Sequence, residues 1–238
     1  MKKYAEVFWA PWVDNLQNES ECWVNTAYFP PTPLLGLAHQ SIQDDKNLLF
    51  KCPAVKSVLK NDFVIKAPIN LTLTFDQTTA SIFTHNYDQK FFDKYVVNRS
   101  KPGGPVILSL PPRYIFFSKD DVEMLSLDLP LLSSESNKNI KMIPGKYNIS
   151  KWLRPIDFTF TVIDPLQPVA IKAEDLLWAV RFYTPNDVPV KMTRFNLTEN
   201  ILKSSQSMMH IKKYREFLPL KKCYELAGGL IQQIRNKF

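Results

Sequence analysis

Side chains able to do chemistry are few in this chain and stand far apart. Three histidines (His39, His85, His210) and three cysteines (Cys22, Cys52, Cys223) are scattered over 238 residues. None falls in a CxxC, HxxxH, HEXXH or HxD spacing, so neither a metal cage nor a disulfide framework is read from them. The nearest approach is His85-Asn86-Tyr87-Asp88, where the carboxylate sits one position too far. Cys52, in FKCPAV, precedes a helix start, a place that lowers a thiol pKa, but it has no sequence-near histidine to act with it. Carboxylates cluster at Asp44-Asp45 and at Asp120-Asp121-x-Glu123. Such sets either hold a divalent cation through oxygen or close solvated turns. The nucleophile elbow, the P-loop and the dinucleotide fingerprint are absent, and six glycines leave little material for a phosphate-cradling loop. No cofactor is expected.

One stretch concentrates unusual residue types: GKYNISKWLRPIDFTFTVIDP, residues 145 to 165. Pro155 fixes its own φ and pushes Arg154 into an extended conformation. Trp152 and Arg154, two apart on extended chain, then point to one side. The indole is expected to cover the end of a core while the guanidinium finds a carboxylate or backbone carbonyls. Trp152, Arg154 and Pro155 therefore read as a structural corner leading into a strand whose Ile156, Phe158 and Phe160 share a face.

Those residues need elements to hold them, and the elements are mostly strands. EVFWAPW, broken by Pro11, reads as an edge strand. ECWVNTAYF alternates, as do NLTLTF (70 to 75), DFTFTVID and VAIKA. PVILSLPPRYIFF reads as two strands parted by Pro111-Pro112, and SSESNKN (133 to 139) as an exposed loop. PAVKSVLK has helical spacing, with Pro53 at the first helical position. About ten strands with turn signals between them, and no long helix between consecutive strands, argue for a mainly β fold. The expected architecture is an antiparallel β-sandwich or jelly-roll-like domain over residues 1–198. A basic, helical C-terminal segment, 199–238, is expected to pack on it. Thr198 caps its first helix, Pro219 opens the second, and Gly228-Gly229 ends or kinks that second helix.

The net charge of +7 is concentrated there. Residues 200–238 carry eight lysines and arginines against Glu216 and Glu225. Lysines at a helix N-terminus oppose the macrodipole, so Lys221 and Lys222 are expected to answer to something outside the helix. Lys212, Lys213, Arg215, Lys221 and Lys222 are accordingly the candidate partner-binding residues, for an acidic protein surface or, alternatively, a nucleic-acid backbone. No run of 18 apolar residues occurs, so no membrane-spanning segment is expected. Five Asn-x-Ser/Thr sequons (Asn18, Asn70, Asn98, Asn148, Asn196) read as chance, since the opening MKKYAEVFWAPWVDN is not a signal peptide.

FKCPAVKSVLKNDFVIKAPINLTLTF, MIPGKYNISKWLRPIDFTFTV and LLWAVRFYTPNDVPVKMTRF together resemble a group of uncharacterised proteins of tailed, T4-like and often marine bacteriophages. The resemblance covers about residues 29 to 215. It implies a viral origin, in the host cytoplasm or the virion, and carries no activity or site residue. The expectation is a non-enzymatic protein that binds a macromolecular partner, a phage or host protein, as a virion or assembly component or a host-interaction factor. The alternatives are a metal-dependent enzyme on a nucleotide or sugar, using carboxylates of residues 118 to 128, and a nucleic-acid-binding protein working through the basic segment.

Overall fold

Tyr114-Ile115-Phe116-Phe117 is an unbroken apolar run, and a strand of that kind needs cover on both faces. A computed structural model of the chain describes residues 3–12, 28–41, 51–89, 92–93, 96–129, 134, 136, 138–214 and 218–236. In it Tyr114 and Phe116 point into a core between two sheets, while Ile115 and Phe117 point the other way, onto helices.

The first sheet has the order β14 (Val190–Arg194), β1 (Ala5–Pro11), β7 (Ile107–Phe117), β11 (Pro155–Val162), β9 (Ile140–Met142), and the short β6 (Val97–Asn98) also pairs with β7. The second runs β10 (Gly145–Asn148), β8 (Glu123–Leu127), β13 (Leu176–Tyr183), β3 (Asp62–Lys66), β2 (Thr32–Pro33). A smaller third sheet joins β12 (Val169–Ile171), β4 (Leu71–Asp76) and β5 (Ser81–Thr84). All three contribute to one apolar core, in which Phe158 stacks on Trp178 at 6.3 Å and Phe116 meets Phe182 edge-on at 5.7 Å. Helices α1 (Leu34–Ser41) and α2 (Pro53–Leu59) cover the outer face of the second sheet through Leu34, Leu59 and Val64. Helices α3 (Glu199–Tyr214) and α4 (Leu220–Arg235) cover the outer face of the first sheet, where Ile201, Leu202, Met208, Ala227 and Ile231 meet Ala10, Trp12, Ile115 and Phe117. The layers are thus helix, sheet, sheet, helix. The fold is mainly strand, and among the described residues its ladders are antiparallel except for β1 with β14.

That exception corrects the reading of EVFWAPW as an edge. β1 lies inside its sheet, parallel to β14 and antiparallel to β7. Pro11 is tolerated because it is the last residue of the strand, where no further ladder donor is required. A second correction concerns Pro111-Pro112. β7 continues through them as one strand, and the pairing with β11 absorbs them: Ile156 faces Tyr114 and Phe158 faces Leu110, two residues against four. The prolines occupy the bulge, where an N–H is not needed. Gly228-Gly229 do not end α4, which runs on to Arg235 with open space where a side chain at either glycine would stand. Nor is the stretch around 136 simply exposed. Ser136 is buried, its hydroxyl donating to the Asp175 carboxylate and accepting from the Lys172 N–H. The strand expected at 21 to 29 falls mainly outside the described residues.

A buried ion pair crosslinks the second sheet. Asp62 on β3 accepts two bonds of 2.7 Å from Arg181 on β13, and none of its side chain is exposed. Of the sequons, Asn148 is buried, with its amide donating to Asp121 at 2.6 Å, so folded protein cannot present it for glycosylation.

Candidate functional site

Between Met142 and Gly145 the chain leaves the first sheet at the end of β9 and enters the second at the start of β10. The two sheets part at this seam. A cavity of about 360 Å³ opens there, walled by β9 to β11, by Arg99 and by the beginning of α4.

The segment between β10 and β11 is anchored to the helix layer at every turn. The Asn148 N–H donates to the Tyr224 hydroxyl at 2.8 Å, and Arg235 donates to the Ser150 carbonyl at 3.2 Å. The Leu153 N–H meets the Met208 sulfur at 3.4 Å, and the Leu153 carbonyl accepts from Ser205 at 3.0 Å. Trp152, 2% exposed, packs between sheet and helices with its ring 6.1 Å from Tyr224. These contacts fix the backbone next to the cleft residues Tyr147, Trp152 and Arg154. Trp152 and Arg154 both line the cavity. Arg154 lies 5.9 Å over the Tyr147 ring, and its Nε donates to the Pro155 carbonyl at 3.2 Å rather than to a carboxylate.

Charge in the cleft is unevenly balanced. Lys146 is paired with Glu123 at 2.7 Å, and that carboxylate holds its ammonium above the ordinary lysine range. Asp157, the one carboxylate among the described residues of the wall, has its Oδ1 2.9 Å from Nε of Arg113, a residue outside the cleft, in an ion pair whose geometry is not that of a hydrogen bond. Arg99 donates through Nε to Ser109 at 3.0 Å, and neither Arg99 nor Arg154 meets a carboxylate among the described residues. Among the described residues these two cations have no counter-charge. The Tyr147 hydroxyl is buried and has no hydrogen-bond partner among the described residues, and that burial pushes its pKa up. α4 begins at the rim with Leu220 and Cys223, with no side-chain cap and no acidic residue in its first turn, so its dipole adds positive potential. The remaining wall is apolar: Met142, Ile143, Ile156, Leu218 and Leu220 beside the Trp152 indole.

The other residues singled out in the sequence do not converge on this site. Lys221 and Lys222 are exposed in the first turn of α4, and Lys222 pairs with Glu225 at 2.8 Å. Lys212 and Lys213 fall in the last turn of α3, but their side chains, like all of Arg215, lie outside the described residues. Asp121 accepts from Asn148 and Ser150 and pairs with Lys151 at 3.3 Å, contacts that lower its pKa, the Asn148 bond most. With Glu123 held by Lys146, these acids are engaged in turns and ion pairs, and among the described residues no three His, Cys, Asp or Glu side chains converge to hold a metal ion. Asp44-Asp45 lie outside the described residues. His85 bonds Thr74 on the third sheet, at 3.1 Å, and His210 is exposed on α3. Cys52 is exposed before α2, where the Val55 and then the Ala54 N–H lower its thiol pKa. No helix among the described residues is long and apolar enough to cross a membrane.

Tyr147 was within reach of the sequence, five residues before Trp152 in the same polar segment. Arg99 carried no such signal, since only the β6–β7 pairing brings it to the seam. The comparisons with known proteins leave the geometry to speak alone: no family model matches the chain, and no curated protein matches it.

Proposed function

We propose that this is a non-enzymatic binding protein of a tailed phage, which docks a macromolecular partner through the cleft at the sheet seam. The reading rests on one observation: Arg99 and Arg154 stand beside an apolar wall without a counter-charge among the described residues, Arg154 next to the Leu153 backbone that the helix layer ties down. Cations held ready in a partly dry site attract an anionic group at low reorganisation cost. Catalysis has less support, because among the described residues no histidine lines the cleft with Cys223, and Asp121 and Glu123 are engaged elsewhere. The partner belongs to the virion, to its assembly, or to the host.

A photo-crosslinking amino acid at Ile143, on the exposed rim, tests the reading in infected or lysogenic cells. Crosslinks to one protein that disappear with Arg154→Glu, and survive Lys221→Glu with Lys222→Glu, are expected. Crosslinks unaffected by Arg154→Glu but lost with the lysine pair would move the docking surface to the basic helix.

A further inference from the structure

Resting on that reading, we infer that the cleft captures the C-terminal carboxylate of its partner, together with an apolar last side chain. Three features select this chemistry. The first is charge. Arg154 is partly buried and meets no carboxylate among the described residues, and a guanidinium presents a planar fork that matches a carboxylate with two parallel bonds. One partly buried cation suits a single negative charge, whereas a phosphate dianion would call on the more exposed Arg99 as well. The second is Tyr147, whose ring lies under the Arg154 guanidinium and whose buried hydroxyl has no hydrogen-bond partner among the described residues. A phenol O–H donates well to a carboxylate oxygen, and burial keeps it protonated. The third is size. About 360 Å³ is at the small end of ligand cavities, room for a chain end and not for a segment threaded through. Met142, Ile156, Leu218 and Trp152 supply the apolar surface for a terminal side chain.

The inference separates a terminal carboxylate from its nearest imitations. In solution, N-acetyl-Phe-Leu with a free carboxylate is titrated into isotopically labelled protein, following the Trp152 indole N–H and the Tyr147 resonances. Its C-terminal amide, the acid Ac-Asp-NHMe and inorganic phosphate are titrated in parallel. The free acid is expected to shift both reporters and the amide to bind at least about tenfold more weakly, the loss of one charge-assisted pair. Tyr147→Phe removes a hydroxyl that has no partner, so it is expected to fold as the wild type does. It should nonetheless weaken the acid about three- to tenfold. Arg154→Gln should abolish the difference between acid and amide. Equal binding of acid and amide, or no binding of either, overturns the inference. So does phosphate or Ac-Asp-NHMe binding more tightly than the free acid. If Ile143 crosslinks still depend on Arg154 in that event, the docking cleft stands and only the terminal carboxylate falls.

Discussion

Replacing Trp152 by alanine tests whether the seam is held by its indole. The ring is 2% exposed and belongs to the cluster joining the first sheet to α3 and α4. An aromatic of this size buries roughly 200 Å², worth about 5 kcal/mol at about 25 cal/mol per Å². Two effects reduce that figure. The unfolded chain already hides part of the area. Part of the indole also lines the cavity, so water enters the vacated volume instead of leaving a dry void. The expected loss is about 3 kcal/mol, the lower end for a large aromatic cut to alanine. For a domain of this length that lowers Tm by about 6 to 12 °C. Urea unfolding followed by far-UV circular dichroism gives the free energy, and a thermal scan the Tm. Trp152→Phe, which keeps a ring against Tyr224, should recover more than half of the loss. A Trp152→Ala protein that melts within about 2 °C of wild type, taking that as a shift too small for such a loss, would show that the backbone ties at Asn148, Ser150 and Leu153 hold the seam without the indole.

Two further outcomes follow from burial and from backbone geometry. Asp62→Ala strands the Arg181 guanidinium between β3 and β13 and should cost about 3 to 5 kcal/mol in urea unfolding, while adding Arg181→Met should recover much of it; a loss under about 1 kcal/mol would mean the pair is hydrated. Cys52, with its pKa lowered by the Val55 and Ala54 amides, should be alkylated by iodoacetamide at neutral pH well before the buried Cys223, as read by peptide mass spectrometry; comparable rates would refute the packing of α4.

Local pattern made the strand-rich class legible, and alternation in NLTLTF and DFTFTV gave the inward faces, since Leu71, Leu73, Phe158 and Phe160 all reach the shared core. The helix starts at Thr198 and Pro219 were legible for the same local reason: the Ile201 N–H donates to the Thr198 hydroxyl at 3.4 Å, and Pro219 precedes Leu220. What was not legible depended on partners distant in sequence. Pro111-Pro112 looked like a break because nothing local says that β11 will present two residues opposite four. EVFWAPW looked like an edge because of Pro11, and nothing local announced β14, its parallel neighbour near the far end of the chain. The cleft follows the same rule. Arg154-Pro155 announces an extended, one-sided pair of side chains, and a corner accounts for both. Only the convergence of Arg99, Leu218 and Cys223 from remote segments turns that corner into the wall of a cavity.

The interior position of β1 has a consequence for biosynthesis. Phe8 must wait for Phe117 and Ala5 for Val190 before its ladders exist. At a translation rate of about 5 to 20 residues per second, the second partner leaves the ribosome roughly ten to forty seconds after β1 does. Until β7 emerges the apolar, aromatic strand is without either mate, and until β14 emerges it has one edge open, while the entropy of closing so long a loop still opposes docking. The first sheet can therefore be completed only late. The nascent chain has to be kept from pairing that strand with a neighbour's on the same polysome, which makes it a natural client for chaperones that shield extended apolar segments.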